Sequence, residues 1–195
     1  MFLIAGWSGF YVMAIELLSG RILAPNFGNS IYVWGGVITI FMLALSIGYL
    51  CGGRLSVRQP SVKKLSLLLL AAAATTMPTV LLGEAAMDWI FNLILDPRYG
   101  SLLSSTILFF IPTLISGMIS PYAVRLLVSE YKMSGHYAGL LYFVSTFGSA
   151  AGTILTSFYL VMYLEINQIF LFMIGISVTI GILSLIAGRK YNPND

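Results

Sequence analysis

The amino-acid sequence predicts an all-α bundle of six membrane-spanning helices. Only ten Lys or Arg and seven Asp or Glu occur among 195 residues, and 58% of the residues are hydrophobic. Soluble domains carry roughly a quarter charged residues. Uncharged stretches such as 31–53 and 65–83 reach the roughly 20 residues that a helix needs to cross a bilayer. Continuous apolar runs such as 67–74, without alternating polar residues, favour helices over a β-barrel.

The apolar stretches divide the chain into six predicted spans within one integral membrane domain, residues 1–195. These spans cover about residues 2–20, 31–52, 65–82, 102–127, 137–160 and 166–187.

Residues 84–95 are too few to span a bilayer, but they have an amphipathic pattern. Trp89, Ile90 and Leu93 fall on one helical face, and Asp88 and Asn92 fall on the other. This pattern predicts a short helix lying in the membrane interface. An irregular loop is the alternative.

The positions of the basic residues predict the orientation of the bundle. Six spans place both termini on one side, and eight of the ten Lys and Arg residues fall on that side. These eight are Arg54, Arg58, Lys63, Lys64, Arg125, Lys132, Arg189 and Lys190. Only Arg21 and Arg98 fall on the other side. Because cytoplasmic loops are enriched in Lys and Arg, we predict an inner-membrane protein with both termini in the cytoplasm.

Two pairs of glycines predict close helix packing. Gly48 and Gly52 lie in the second predicted span, and Gly148 and Gly152 lie in the fifth. Glycines four residues apart leave a flat groove that lets a second helix approach closely. The sequence leaves open whether that helix belongs to the same chain or to a second copy in a homo-oligomer.

The same glycine pairs suggest an internal repeat of three spans. The Leu-Ser-Gly sequence at 18–20 and the Ile-Ser-Gly sequence at 115–117 are each followed by a proline, at offsets close to that of the glycines. Because three is an odd number, a second copy would be inverted in the membrane, an arrangement typical of transporters. Glycine and proline are frequent in membrane helices, so chance similarity is the alternative.

Glu16 is the sharpest candidate for a functional residue. It lies within the first predicted span, where a carboxylate is costly unless it is paired, protonated or exposed to water. Such residues are typical of ion or substrate paths, so we predict that Glu16 binds a ligand, with Arg21 nearby. A structural pair between Glu16 and Arg21, or a hydrogen-bonded Glu16, is the alternative.

The fourth predicted span is the most interrupted. Pro112 and Pro121 each remove a backbone donor and clash with the preceding turn. Discontinuous helices are typical of transporter sites, so Ser116 and Ser120 are candidate ligand-binding residues. A simple kink is the alternative.

Tyr32 and Trp34 follow the turn-rich segment 21–30. They are interpreted either as residues of the interfacial aromatic belt or as walls for a cationic ligand.

The sequence has no metal-binding constellation, phosphate loop or nucleophile–base set. We therefore expect no metal, no cofactor and no nucleic-acid partner. We also expect no catalysis by the chain on its own. The lipid bilayer is the expected environment.

Residues 9–60 and 112–160 resemble the membrane domain of the spermidine-synthase-like integral membrane proteins, over about three quarters of the chain. The matching positions of the first stretch are Glu16, Arg21, Leu23, Ala24, Pro25, Phe27, Gly28, Trp34, Gly48, Tyr49, Gly52, Gly53, Arg54 and Leu55. Those of the second are Gly117, Met118, Ser120, Pro121, Tyr122, Val124, Arg125, Tyr142, Ser145, Thr146, Gly148, Ser149, Gly152 and Thr153.

The resemblance implies a transporter-like membrane part. In that family it is commonly joined to a cytoplasmic aminopropyltransferase-like domain that binds an S-adenosylmethionine-type cofactor. The sequence contains no such domain, so we do not carry the family's chemistry over to it. Two functions follow as hypotheses. One is transport or binding of a small molecule, a polyamine or another cation, through Glu16 and the fourth span. The other is a non-catalytic scaffold for a separate cytoplasmic spermidine-synthase-like enzyme, docked through Arg54, Arg58, Lys63 and Lys64.

The predicted orientation is testable by cysteine labelling in intact cells. Cysteines placed next to Lys64, Lys132 and Lys190 should resist an impermeant thiol reagent, because we expect those residues to face the cytoplasm. Cysteines next to Asn29 and Asp96 should react. Labelling of the first group without permeabilisation would overturn the orientation.

Overall fold

The computed structural model describes residues 1–57, 60–128 and 134–191, and these residues form an all-helical bundle. The helices are α1 (Phe2–Phe27), α2 (Ile31–Val57), α3 (Val62–Leu93), α4 (Pro97–Leu127), α5 (Ser134–Leu155), a π-helical segment (Thr156–Leu160), α6 (Val161–Tyr163) and α7 (Ile166–Tyr191). With α5, the π-helical segment and α6 taken as one, six helical segments of the described chain are long and apolar enough to cross a membrane. The predicted fold class is therefore confirmed. Arg58 and Lys132 lie outside the described residues.

α1 is longer than predicted, because the segment 21–27 continues the helix instead of forming a loop. Pro25 lies near the end of the helix, where the missing N–H group affects only one backbone hydrogen bond. The helix ends at Gly28, which has a φ of 78° and donates its N–H to the carbonyl of Ala24. A positive φ suits glycine because it has no Cβ.

The prediction of a separate short interfacial helix at 84–95 is wrong, because residues 84–93 extend α3. The 32 residues of α3 measure about 48 Å at 1.5 Å per residue, which exceeds the thickness of a hydrocarbon core. Met87 and Ile90 are buried against the bundle, whereas Trp89 is 63% exposed. The extension therefore packs on protein through one face and does not lie flat on lipid.

α4 is continuous, so of the two interpretations of the fourth span the discontinuous helix is wrong. Pro112 has no N–H group to offer the carbonyl of Leu108 four residues earlier. The hydroxyl of Thr79 on α3 donates a hydrogen bond of 3.0 Å to that carbonyl. A side chain of the neighbouring helix thus replaces the lost backbone donor. Helix irregularity occurs instead in the fifth span, at the π-helical segment.

The bundle is organised by two close helix pairs, and each pair joins the two halves of the chain. α2 packs most extensively on α4, and α1 packs next most extensively on α5. α1 also contacts α2, α3, α4 and α7, so it lies at the centre of the bundle. α5 contacts mainly α1, and many of its large apolar side chains are exposed.

The glycine pairs lie at these two contacts, so they pack within the chain. A Cβ on Gly48 would clash with the backbone of α4 at Leu114, and one on Gly52 would clash at Met118. On the other pair, Gly148 faces the backbone at 6, and Gly152 faces it at 10. The residue numbers rise in the same direction on both partners, so each pair runs parallel.

The two pairs share one register, and this register differs from the predicted repeat. Ser8 follows the contact position 6 by two residues, just as Ser116 follows the contact position 114. The contacts therefore align Ser8–Gly9 with Ser116–Gly117. The repeat predicted from the sequence instead aligns the Ser-Gly pair at 19–20 with Ser116–Gly117. Gly20 instead lies against the ring of Trp34. That the halves are inverted repeats stays a prediction.

Replacing Gly148 with Ala should destabilise the fold. The added Cβ would clash with the backbone of α1, which cannot rotate away, so we expect a loss of about 1–3 kcal/mol in the free energy of unfolding. Thermal unfolding of the purified chain in mild detergent measures this loss.

Gly139 provides the matched control, because it lies on the same helix and a Cβ there would have no atom within 4 Å. Gly139→Ala should leave the melting temperature unchanged or raise it, since Ala favours helix over Gly. Equal melting temperatures for the two variants would show that the α1–α5 contact is not close.

Candidate functional site

Two cavities contain three of the six predicted ligand-binding residues, Arg21, Ser116 and Ser120. The first, which we call the serine cavity, has a volume of about 190 Å³ and lies between α1, α2, α4 and α5. Its lining consists of Ser8, Gly9, Val12, Met13, Leu45, Tyr49, Ser116, Gly117, Ser120, Ser145 and Ser149. It therefore contains the predicted Ser116 and Ser120.

Hydrogen bonds to backbone carbonyls position three of the five serines. The hydroxyl of Ser8 donates to the carbonyl of Ser116 at 3.2 Å and links α1 to α4. The hydroxyl of Ser116 donates to the carbonyl of Pro112 at 2.8 Å, and that of Ser149 donates to the carbonyl of Ser145 at 3.1 Å. Within the described residues, the hydroxyls of Ser120 and Ser145 have no hydrogen-bond partner.

Glu16 is not among the residues that line the serine cavity. It follows the lining residue Gly9 by seven residues, or about two turns, so the two share one face of α1. Side chains on a helix lean toward its N-terminus, which directs Glu16 toward Val12 and Met13. Glu16 is half-buried, and its carboxylate has no hydrogen-bond or salt-bridge partner in the described part of the chain. The structural pair with Arg21 is therefore not formed.

The second cavity, which we call the Arg21 pocket, has a volume of about 360 Å³. It lies between the C-terminal turns of α1, the extension of α3 and the start of α7. Its lining consists of Arg21, Ile22, Pro25, Asn26, Glu84, Met87, Asp88 and Ile166. The continuity of α1 and α3 beyond their predicted ends creates this pocket.

The Arg21 pocket brings together two carboxylates and one guanidinium that do not pair. Glu84 and Asp88 are four residues apart and share one face of α3. The amide of Asn26 donates a hydrogen bond of 3.0 Å to Asp88. Among the described residues, Arg21 forms no salt bridge with either carboxylate. These charged side chains are solvent-exposed.

Tyr32 and Trp34 line neither of the two cavities. The guanidinium of Arg98 lies 4.4 Å from the centre of the Tyr32 ring, so a cation of the chain itself covers one face of that ring. The indole N–H of Trp34 donates to the side chain of Asn29 at 2.9 Å. Both rings thus hold the junction between α1, α2 and α4.

The structure also adds polar residues that the sequence reading did not assign to a site. In the sequence, Glu84 and Asp88 fall in the predicted interfacial helix, although two acidic residues four positions apart are conspicuous in a chain with only seven. The sequence shows Ser-Gly at both 8–9 and 116–117, so a repeat of this dipeptide is visible in it. Because Ser-Gly also occurs elsewhere in the chain, only the helix contacts show which two copies take the same place in the two halves.

Comparison of the chain with protein-family models, with curated proteins and with solved structures gave no match.

Glu16→Gln should leave the thermal stability of the chain unchanged or raise it in low-salt buffer. The half-buried carboxylate has no partner in the described residues, and an amide is cheaper to bury than an unpaired charge. Thermal unfolding measures this effect, with Glu165→Gln, at an exposed carboxylate, as the control. A fall of several degrees for Glu16→Gln alone would mean that the carboxylate is paired.

Proposed function

We propose that the chain is a membrane-embedded binding and transport module for a small organic cation. In this proposal it lies in the inner membrane with both termini in the cytoplasm, and the Arg21 pocket opens to the outside. The observation that carries the proposal is the placement of Glu84 and Asp88 in that pocket without a salt bridge to Arg21 within the described residues.

The size of the Arg21 pocket supports this proposal. Small-molecule sites have volumes of roughly 300–1,000 Å³, and the pocket measures about 360 Å³. This is enough room for a small amine but not for a folded peptide. The lining combines an apolar part, Ile22, Met87 and Ile166, with a few polar groups, as ligand sites usually do.

The charges of the pocket favour a cation. Like charges four residues apart on a helix repel each other by about 0.2–0.5 kcal/mol. An ammonium group between Glu84 and Asp88 would relieve this repulsion and donate hydrogen bonds to both carboxylates. Together with Arg21, the three side chains carry a net charge of −1, so an amine is favoured over an anion.

The resemblance to the membrane part of spermidine-synthase-like proteins makes polyamines the first ligands to examine. The alternative is a scaffold for a separate spermidine-synthase-like enzyme. Exposed Arg54 and Lys63 favour this alternative, because they supply positive charge at neighbouring ends of α2 and α3. Arg58 lies outside the described residues. Recovery of such an enzyme with the chain from native membranes in mild detergent would support the scaffold.

The amine proposal predicts that removing an acidic side chain from the pocket weakens amine binding and that removing the basic side chain strengthens it. Glu84→Gln and Asp88→Asn should each weaken binding of labelled spermidine about three- to tenfold, as expected for loss of a partly exposed charged contact. Arg21→Ala should strengthen binding about twofold or more, since it removes a like charge. Binding to the purified chain in nanodiscs and uptake into liposomes are the measurements.

Glu165→Gln serves as the control, because this exposed carboxylate does not line the pocket. If Arg21→Ala weakened binding while Glu84→Gln left it unchanged, the ligand would be an anion and the proposal would be wrong. No uptake and no binding of any tested amine would favour the scaffold instead.

A further inference from the structure

The serine cavity presents mainly hydrogen-bond acceptors. A serine hydroxyl has one hydrogen and two lone pairs. Ser8, Ser116 and Ser149 each donate their hydrogen to a backbone carbonyl. Their oxygen atoms can therefore offer only lone pairs to a molecule in the cavity.

The remaining polar lining is neutral. Ser120, Ser145 and Tyr49 contribute hydroxyl groups, and among the described residues no charged side chain lines the cavity. Ser120 and Ser145 have no hydrogen-bond partner within the described residues, so their oxygens are also available. The lining thus has six hydroxyl oxygens as acceptors and three free hydroxyl hydrogens as donors, and this excess of acceptors favours a cation or a strong donor.

The composition of the lining distinguishes between classes of cation. Ca²⁺ and Mg²⁺ sites are built with carboxylates, and in the part of the chain that the structure describes no carboxylate lines the cavity. No group of three or more His, Cys, Asp or Glu side chains that would suit a transition metal occurs in the described residues. Neutral hydroxyl oxygens suit an ion of single charge, because such an ion needs fewer negatively charged ligands than a divalent ion.

Glu16 supplies the charge compensation that the lining lacks. It follows the lining residues Val12 and Met13 on α1 by four and three residues, and a helical side chain at such a position leans toward them. Its carboxylate has no hydrogen-bond or salt-bridge partner among the described residues. A cation in the cavity would therefore find one negative charge nearby, without direct contact.

We propose that the serine cavity binds a small monovalent inorganic cation, with Glu16 as its counter-charge. A water molecule occupies about 30 Å³ in the liquid, so a cavity of about 190 Å³ holds the ion with part of its hydration shell. This site differs in ligand and place from the amine site of the Arg21 pocket. In a transporter it would be the site of a coupling ion.

The position of the cavity gives the ion a structural effect that can be measured. Its lining comes from both close helix pairs, α1 with α5 and α2 with α4. An ion that contacts oxygens on all four helices holds the two pairs together. Binding to the folded state alone raises the stability in proportion to the logarithm of ion concentration.

Thermal unfolding of the purified chain under increasing NaCl or KCl tests this proposal, with choline chloride keeping the ionic strength constant. The same titration is run on the double variant Glu84→Gln with Asp88→Asn, because choline is itself a small organic cation that the Arg21 pocket would bind. We expect Na⁺ or K⁺ to raise the melting temperature with the logarithm of its concentration above Kd, by about 5 °C at a hundredfold excess over Kd. The double variant Ser120→Ala with Ser145→Ala should lose this shift. Glu16→Gln should weaken the apparent affinity about tenfold.

Ser104→Ala is the matched control, because Ser104 is a buried serine of α4 that does not line the cavity, and its hydroxyl is unpartnered among the described residues. It should retain the full ion-dependent shift. If the double variant fails to fold, the single variant Ser145→Ala replaces it and should weaken the ion response. No difference between Na⁺, K⁺ and choline, or equal loss in Ser104→Ala, would overturn the proposal. Glu84→Gln should leave the ion-dependent shift in melting temperature intact. The test of the ion site is therefore independent of whether the Arg21 pocket binds an amine.

Discussion

Close contact between helix backbones at four glycines is the constraint on which the structure depends. In lipid, apolar side chains gain nothing from leaving one apolar surface for another, so helices associate through close packing and polar contacts. Gly48 and Gly52 bring α2 against α4, and Gly148 and Gly152 bring α5 against α1. Each contact joins one half of the chain to the other. The positions of the glycines therefore determine which helices pack against each other.

The serine cavity is a consequence of this packing. Where glycines bring two backbones together, the neighbouring side chains must also be small, and serine is the small residue that brings a hydroxyl. Ser8 joins the two pairs through its bond to the carbonyl of Ser116. Similarly, the hydroxyl of Thr79 donates a hydrogen bond to the backbone carbonyl that Pro112 leaves without a donor. Polar groups thus occur inside the bundle mainly where the backbone offers them a partner.

The sequence was sufficient for the fold class but not for the site. Hydropathy and charge predicted six spans because the bilayer imposes a length and a polarity on every helix. Helix ends were less predictable. Pro112 and Pro121 suggested a break, but α4 is continuous, and at Pro112 the hydroxyl of Thr79 replaces the lost donor. The Arg21 pocket exists only because α1 and α3 continue past the apolar stretches. Which helices pair depends on contacts between distant residues, and the local pattern does not encode them.

The pairing of α2 with α4 has a consequence for how the chain is made. α2 has its most extensive contact with a helix that is synthesised only after α3 is complete. At synthesis rates of about 5–20 residues per second, α2 waits on the order of ten seconds for its partner. During that time its glycine groove is exposed to lipid and to other nascent helices. Chaperoning by the insertion machinery, or slow release from it, would protect this groove until α4 arrives.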